Sequence, residues 1–246
     1  MVPRSGQLSL PVDTVDIWLA FDATFEAAQV RSRFVTLMTA QERDRMQRFH
    51  FEAGRRQYAL TRAMQREVLS AYAPEVAPAQ WEFEATAEGR PFLASAFEHT
   101  GLHFNLSHTD SLVAMAVGRH ARVGVDVEKM DRAPLAVAER YFSAVETAQL
   151  QALPAEEQPR HFVRLWTLKE AYLKAIGTGV AGGLGQVSII FSSADEFRFE
   201  CVDDGDASRW RFRQFEIGLE HVLSLAVLPS ADVDCARVTL REFRVD

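Results

Sequence analysis

Near the middle of the chain, residues 123–128 read VGVDVE, so that three valines alternate with Gly124, Asp126 and Glu128. A period of two is typical of a β-strand, whose successive side chains point to opposite faces. The two carboxylates then share one face, with backbones about 7 Å apart. Hard oxygen ligands without His or Cys nearby suit Mg²⁺. The alternative is an ordinary strand face in contact with water, which the spacing alone favours.

Some forty residues further on, residues 166–177 read WTLKEAYLKAIG, within a helical pattern that runs from about residue 159 to residue 176. Glu170 and Lys174 are four apart, which is also the commonest spacing of a surface ion pair on a helix. Both lie in the same quarter of the helix as Trp166, and Lys169 is expected beside them as a second cation. Such a group could act as a base and a phosphate clamp. The spacing leaves the two interpretations open.

Upstream, residues 43–66 carry seven arginines against two acidic residues, a local excess of five positive charges. The arginines are Arg43, Arg45, Arg48, Arg55, Arg56, Arg62 and Arg66. Arginine suits bidentate contacts with phosphate or carboxylate groups. The alternative is a solvated helix face, which we expect for several of the seven.

Helix starts are marked by two capping boxes, in which a hydroxyl and a carboxylate satisfy the first backbone amides of a helix. Thr39 and Glu42 form the first box, and this is the first clear local structure in the chain. It predicts one or two helices between about residues 40 and 73. Ser143 and Glu146 form the second, which opens a helix that ends at Pro154.

Strands are predicted for the apolar run Leu112–Val117 and for most of the chain from Val187 onward, including Val222–Val227. Helices followed by a strand therefore occur twice along the chain. We expect an α+β protein of two similar α/β halves, residues 1–118 and residues 119–246.

Composition and charge restrict the class of protein. The chain has 246 residues, of which 48% are hydrophobic and 25% charged, as in ordinary globular proteins. A net charge of −7 argues against broad nucleic-acid binding. No apolar run approaches the length of about 20 residues that spans a bilayer. The beginning of the chain lacks a signal peptide and there are only two cysteines, so a cytoplasmic protein without membrane association is expected.

Ser107, His108 and Asp110 form a further polar group. A catalytic triad is rejected, because close neighbours in an extended segment point in different directions. A turn at the end of a strand that offers polar groups to an anion, or a purely structural turn, fits better.

Taken together, several motifs resemble the signature of the 4′-phosphopantetheinyl transferase superfamily, in particular its surfactin-type (Sfp-type) subfamily. The matching segments span residues 39 to 177. They are Gly124–Glu128, Trp166–Gly177, Asn105–His108, Glu88–Leu93, Arg48–Phe49 and Phe142–Glu146.

This resemblance implies a pseudo-duplicated fold with the active site between the halves. It also implies an enzyme of the holo-acyl-carrier-protein synthase type. Such enzymes transfer the 4′-phosphopantetheinyl group of coenzyme A to a serine of an apo carrier protein and release adenosine 3′,5′-bisphosphate. The expected partners are coenzyme A as substrate and an apo carrier protein, and a monomer suffices.

The resemblance further assigns roles to residues. Asp126, Glu128 and Glu170 would hold Mg²⁺, with Mn²⁺ as an alternative, and Glu170 and Lys174 would be catalytic. Glu170 would deprotonate the carrier serine, directly or through water, and Lys174 would bind the pyrophosphate. The residues expected to contact coenzyme A are Arg45, Gly89, Arg90, Asn105, Ser107, His108, Asp126 and Lys174. Glu42 stands where some relatives carry a basic residue, so contacts at that end of the coenzyme are expected to differ.

Two other functions use the same residues. One is a Mg²⁺-dependent hydrolase of nucleotides or pyrophosphates, with water as the nucleophile. The other is a non-catalytic module that binds coenzyme A or a carrier protein. The identity of the carrier, from fatty acid, polyketide or nonribosomal peptide synthesis, is left open.

Overall fold

The computed structural model describes residues 8–131, 133–179, 184–193, 196–201, 207–229 and 237–244. These residues form two compact units. The first contains the described residues up to Ala85, together with Pro91–Arg119 and the last strand of the chain. The second contains Thr86–Arg90 and the described residues from His120 to Pro229. The expected halves, residues 1–118 and 119–246, stay a prediction. In the structure, Thr86–Arg90 groups with the second unit, and the last strand of the chain groups with the first.

A four-stranded sheet organises the first unit. Its strands are β1 (Thr14–Phe21), β4 (His103–Thr109), β5 (Leu112–Gly118) and β11 (Arg237–Glu242), in the order β11-β1-β5-β4. β1 runs parallel to β11, and the other neighbours are antiparallel. A short hairpin, β2 (Phe83–Ala85) and β3 (Pro91–Leu93), belongs to the same unit.

Helices α1 (Ala40–Gln47) and α2 (Glu52–Tyr72) also belong to the first unit. α2 buries Leu60, Met64 and Val68, at helical spacing, in the core that also holds Trp18 of β1. At the end of α2, the Tyr72 hydroxyl accepts a hydrogen bond from Trp18 Nε1 (2.9 Å) and donates one to Asp16. Burial, followed by the Asp16 carboxylate, raises the pKa of Tyr72. The side chain therefore stays a neutral donor that joins helix and sheet.

The second unit has a three-stranded antiparallel sheet in the order β6-β10-β9 and a separate hairpin. The sheet strands are β6 (Arg122–Lys129), β9 (Arg211–Ile217) and β10 (His221–Leu228), and the hairpin strands are β7 (Val187–Phe191) and β8 (Phe197–Cys201). Helices α3 (Ala144–Ala152) and α4 (Gln158–Ile176) belong to this unit. α4 ends at Gly177, whose positive φ of 81° is the left-handed conformation favoured by glycine.

The sequence-based elements are confirmed in their type and order. Both capping boxes are present, since Glu42 N and Glu146 N donate to the hydroxyls of Thr39 and Ser143 while the two carboxylates accept from the cap amides. The region 40–73 contains two helices. However, the expectation that clear local structure begins at Thr39 is wrong. β1 precedes it and is buried on both faces, so its sequence shows no alternation.

Lys169 does not lie beside Glu170 and Lys174 as a second cation. Its side chain is fully buried, and its Nζ donates to Glu146 Oε2 at 2.5 Å and to the Val187 carbonyl at 2.7 Å. Glu146 Oε1 also accepts from Ile189 N at 2.7 Å. Burial lowers the pKa of Lys169, and the Glu146 carboxylate opposes that shift. This ion pair ties α3, α4 and β7 together.

Two further expectations concern membranes and cysteines. Among the described helices, none is long and apolar enough to cross a membrane. Cys201 is a free thiol, and Cys235 lies outside the described residues.

We predict that Lys169→Met destabilises the protein by about 3–5 kcal/mol, because the buried Glu146 carboxylate loses its counterion. Urea unfolding measures this change. The double variant Glu146→Leu/Lys169→Met should be more stable than Lys169→Met alone, since no unpaired charge remains. As a control, Arg198→Gln breaks an exposed pair with Glu200 and should cost less than about 1 kcal/mol. Equal costs for Lys169→Met and Arg198→Gln would contradict this assignment.

Candidate active site

Gly124 brings β6 against α4. A Cβ atom at this position would lie 2.0 Å from the Ala171 carbonyl oxygen and 2.5 Å from Ala175 N, both backbone atoms of the helix. Only glycine permits this approach of strand and helix. Asp126 and Glu128 follow Gly124 on the strand, and Glu170 and Lys174 directly precede Ala171 and Ala175 on the helix. The glycine therefore sets the distance between the two pairs of charged residues.

Asp126 and Lys174 form the central contact of this group. Lys174 Nζ donates to Asp126 Oδ1 at 2.7 Å, with the aspartate side chain 5% exposed and the lysine side chain 28% exposed. The aspartate is thus almost buried, while the ammonium group still reaches solvent. The carboxylate face of β6 is therefore not the ordinary solvated strand face that the spacing alone favoured.

Glu170 lies in the same group with little access to water, at 7% exposure. Its Oε1 is buried and has no hydrogen-bond partner among the described residues. Burial, followed by the carboxylate of Asp126 and by a smaller contribution from Glu128, raises the pKa of Glu170 to about 7 against the opposing effect of Lys174. The carboxyl group can therefore exchange a proton near neutral pH.

The charge of these carboxylates suits a divalent cation, but their arrangement does not enclose one. The buried Glu170 oxygen without a partner, beside two further carboxylates, is an environment that a cation stabilises. Within the described residues, however, no three Asp, Glu, His or Cys side chains converge closely enough to enclose a metal ion. Mg²⁺ commonly uses one or two carboxylates and takes its other ligands from water and substrate phosphates. The residues present suit that open mode of binding.

Gly89 and Arg90 lie in the turn that joins β2 to β3, where Gly89 has a φ of 86°. Arg90 donates from Nη1 to the Ala175 carbonyl at 2.9 Å and from Nη2 to the Val123 carbonyl at 3.3 Å. Burial lowers the pKa of Arg90. The guanidinium group thus ties the end of α4 to β6, and a role toward a ligand stays a prediction.

The remaining predicted residues belong to the first unit. Asn105, Ser107 and His108 lie within β4, and the turn that follows is formed by Asp110 and Ser111. The expectation that Ser107 and His108 form the turn itself is therefore wrong. Because strand neighbours face opposite ways, Asn105 and Ser107 are buried and His108 is exposed. Rejection of a catalytic triad agrees with this geometry.

Most of the seven arginines serve the fold. Arg56 pairs with Asp22 (2.7 Å), Arg55 with Glu52 (3.3 Å) and Arg66 with Glu42 (2.9 Å), and Arg43 donates to the Met38 carbonyl. Arg48 lines a pocket of about 640 Å³ in the first unit together with Phe49, Phe51, Gln57 and other residues. Arg45 is exposed on α1. The positive stretch is thus largely internal pairing and not one solvated face.

Comparison with known proteins gives two family matches. The 4′-phosphopantetheinyl transferase superfamily matches residues 122–226, and the 4′-phosphopantetheinyl transferase N-terminal family matches residues 26–120. The 4′-phosphopantetheinyl transferase HetI of Nostoc sp. is 35% identical over 73% of this chain and 76% of its own length. The chain belongs to the 4′-phosphopantetheinyl transferase superfamily.

Two further members of the superfamily are similar over most of their lengths. A phosphopantetheinyl transferase of Thraustochytrium sp. is 31% identical, covering 89% of this chain and 78% of the relative. The 4′-phosphopantetheinyl transferase Sfp of Bacillus subtilis is 26% identical, covering 70% of this chain and 74% of the relative. These relatives are consistent with the surfactin-type subfamily, and the α+β fold of two halves agrees with the two family matches.

In this member of the superfamily, the second unit contains Gly89, Arg90, Asp126, Glu128, Glu170 and Lys174, whereas the first unit contains Arg45, Asn105, Ser107 and His108. The sequence did not identify Gly124 as a packing residue, nor the Tyr58 ring, whose centroid lies 5.9 Å from the guanidinium carbon of Arg45. A small residue within an alternating valine strand was the available signal for Gly124. Nothing in the sequence pointed to Tyr58.

We predict that Gly124→Ala lowers the free energy of unfolding by about 3 kcal/mol or more and reduces activity in the same samples, because the new methyl group displaces α4. Gly185→Ala is the control, since no atom lies within 4 Å of its added Cβ. Chemical denaturation of both variants provides the measurement. Wild-type stability in Gly124→Ala would contradict the close approach.

Proposed function

We propose that this 4′-phosphopantetheinyl transferase moves the phosphopantetheinyl group of coenzyme A to a serine of an apo carrier protein and releases adenosine 3′,5′-bisphosphate. The observation that carries the proposal is the contact of Asp126 with Lys174 beside the buried Glu170 carboxylate. Attack on a pyrophosphate requires a positioned hydroxyl and neutralised charge, with little covalent chemistry from the protein. Glu170 can accept the proton of the hydroxyl, and Lys174 can neutralise charge on the pyrophosphate. The relatives of this chain are named for the same transfer.

Glu170 is the proposed base. Without a bound cation, a carboxylate with a pKa of about 7 is largely available as a base just above neutral pH and still binds a proton well. The proton of the carrier serine would move to this carboxylate, directly or through a water molecule. Without a base, the hydroxyl is a weak nucleophile.

Lys174 is proposed to bind the pyrophosphate of the coenzyme. Its ammonium group is held by Asp126 and remains partly exposed, so it can approach an anionic substrate. Positive charge near the leaving phosphate stabilises the transition state. A Mg²⁺ ion, with Mn²⁺ as an alternative, would supply further charge neutralisation at the pyrophosphate. Asp126, Glu128 and Glu170 would hold that ion.

The coenzyme contacts expected at Arg45, Gly89, Arg90, Asn105, Ser107 and His108 remain part of this proposal. For Arg90 the bond to the Ala175 carbonyl leaves Nε as the buried donor with no hydrogen-bond partner among the described residues. We further propose that the enzyme acts as a monomer, because all the proposed site residues come from one chain. A cytoplasmic location is proposed from the small number of cysteines. The two halves, residues 1–118 and 119–246, are proposed as its domains.

We predict that purified protein, coenzyme A and Mg²⁺ increase the mass of an apo carrier protein by one phosphopantetheinyl group. Intact-protein mass spectrometry on a panel of apo carriers measures the product. Omission of the metal with a chelator should abolish the gain. Release of adenosine bisphosphate without any carrier would favour the hydrolase instead. Coenzyme binding without turnover on any carrier would favour the binding module.

We predict that Glu170→Gln and Asp126→Asn each reduce the rate of transfer by roughly 10²–10⁴-fold, as expected for loss of a base or of charge placement. Both substitutions keep side-chain size, so thermal unfolding should show a folded protein. The control is Glu156→Gln, an exposed glutamate before α4, which should retain full activity. Full activity in Glu170→Gln would remove that residue from the mechanism.

A further inference from the structure

Arg90 lies beside the close approach of strand β6 and helix α4. Its two hydrogen-bond acceptors are backbone carbonyls on opposite sides of that approach, Val123 on the strand and Ala175 on the helix. Val123 directly precedes Gly124, and Ala175 N is one of the helix atoms that a Cβ on Gly124 would meet. The guanidinium group therefore bridges strand and helix where they come closest to clashing. We call the contact of Arg90 with these two carbonyls the Arg90 bridge.

The end of α4 supplies one acceptor of the Arg90 bridge. Ala175 is among the last four residues of the helix, whose carbonyls lack an amide partner within it. A cation at this end also interacts favourably with the helix dipole. A Cβ atom on Gly177 would lie 3.6 Å from Arg90 Nη1, so the residue that ends the helix packs against the same guanidinium group. Arg90 therefore stabilises the last turn of α4, and helix ends are the parts that fray.

The turn that carries Arg90 is itself held in place. Thr86 N donates to the Arg90 carbonyl at 2.9 Å, and Arg90 N donates to the Thr86 hydroxyl at 3.3 Å. On the other side of the bridge, β6 is an edge strand of its three-stranded sheet, so a side chain can reach its backbone. Because both bonds come from one planar guanidinium group, the rigid fork fixes the spacing of the two carbonyls.

The guanidinium group of Arg90 is directed into the protein. Nη1 and Nη2 both donate to main-chain carbonyls, and Nε is buried. In the described part of the chain, no carboxylate pairs with this side chain, and burial alone shifts its pKa. An arginine that bonds to two neutral carbonyls contributes by holding those two backbone segments together.

The charged residues of the proposed site lie beside both ends of the Arg90 bridge. Lys174 directly precedes Ala175 on the helix, and Asp126 follows Val123 by three residues on the strand. The contact of Lys174 Nζ with Asp126 Oδ1, at 2.7 Å, joins the same strand to the same helix. Loss of the bridge would therefore act first on this contact.

Gly124 and the Arg90 bridge have complementary effects on this packing. The missing Cβ of Gly124 permits the close approach, and the bridge opposes separation of the two elements. Lys174 lies in the last turn of α4, whereas Glu170 lies one turn further inside the helix. Fraying of the last turn would therefore displace Lys174 more than Glu170.

We propose that Arg90 is a positioning residue for Lys174. The Arg90 bridge holds the last turn of α4 against β6 and thereby keeps the lysine ammonium group in place for the pyrophosphate of coenzyme A. This inference rests on the proposed function for the role of Lys174. The action runs through the protein backbone and requires no contact between Arg90 and the coenzyme.

Amide hydrogen exchange followed by NMR tests the Arg90 bridge without turnover. The Gly177 amide donates to the Leu173 carbonyl at 2.8 Å and reports on the last turn of α4. In Arg90→Met and Arg90→Lys it should exchange roughly 10- to 100-fold faster, the change expected for loss of a hydrogen bond from a charged group. The Ala171 amide, inside the helix, should exchange as in wild type.

The lysine variant keeps the positive charge, so it serves the test even if the methionine variant does not fold. Arg198→Gln, which removes an exposed arginine of the same unit, is the control and should change neither amide. Equal acceleration along the whole of α4, or none at Gly177, would overturn the inference.

Transfer kinetics test whether Arg90 acts through Lys174. Arg90→Lys should lower kcat by roughly 10- to 100-fold, as expected for a misplaced catalytic group, and leave the KM for coenzyme A within about twofold. In a Lys174→Met background, measured in single turnovers with excess enzyme, the same substitution should change the rate by less than about twofold, because the residue that it positions is gone.

Equal losses of rate in both backgrounds, or a rise in the KM for coenzyme A in both, would overturn the positioning role. A general loss of stability or a direct contact with the coenzyme would produce these additive results. Absence of transfer in the wild-type protein, together with faster exchange confined to the last turn, would instead overturn the proposed function and leave the Arg90 bridge standing.

Discussion

The approach of β6 to α4 at Gly124 is the constraint on which the second unit depends. A side chain there would meet two backbone atoms of the helix, so the strand and helix can approach this closely only while residue 124 lacks a Cβ. That approach places the Asp126 carboxylate within hydrogen-bond distance of Lys174 and puts the charges of Asp126 and Lys174 near Glu170. Packing geometry and site chemistry therefore have one common origin. A change that loosens the packing changes the electrostatics at the same time.

Two consecutive residues of α4 show how differently this unit treats buried charge. Lys169 is paired with Glu146. In addition, Lys169 donates a hydrogen bond to the β7 backbone and Glu146 accepts one from it, so the two charges are balanced within the fold. Glu170 is not part of that pair: one of its oxygens has no partner among the described residues, and its pKa is raised to about 7. A balanced buried pair adds connectivity, whereas an unbalanced group is able to exchange protons or bind a cation.

Local signals predicted a large part of this structure from the sequence. Capping boxes fixed two helix starts, and the alternation of valines identified β6, because both patterns depend on neighbouring residues alone. The signals failed where the outcome depends on distant partners. β1 is buried on both faces and shows no alternation. Lys169 looks like a surface lysine until Glu146, far away in sequence, is placed beside it. Most arginines of residues 43–66 bond within the first unit, to partners such as Asp22 and Glu42 that the sequence alone does not place beside them.

Cation binding by the acidic group at Asp126 distinguishes this account from one in which the same residues only stabilise the fold. Binding of Mn²⁺ in the presence of coenzyme A, followed by electron paramagnetic resonance, measures it without any turnover. The account predicts one bound ion in the wild-type protein and affinity at least tenfold weaker in Asp126→Asn and Glu170→Gln, since each loses a charged oxygen ligand. Unchanged Mn²⁺ affinity in both variants would contradict the assignment of these carboxylates to the metal.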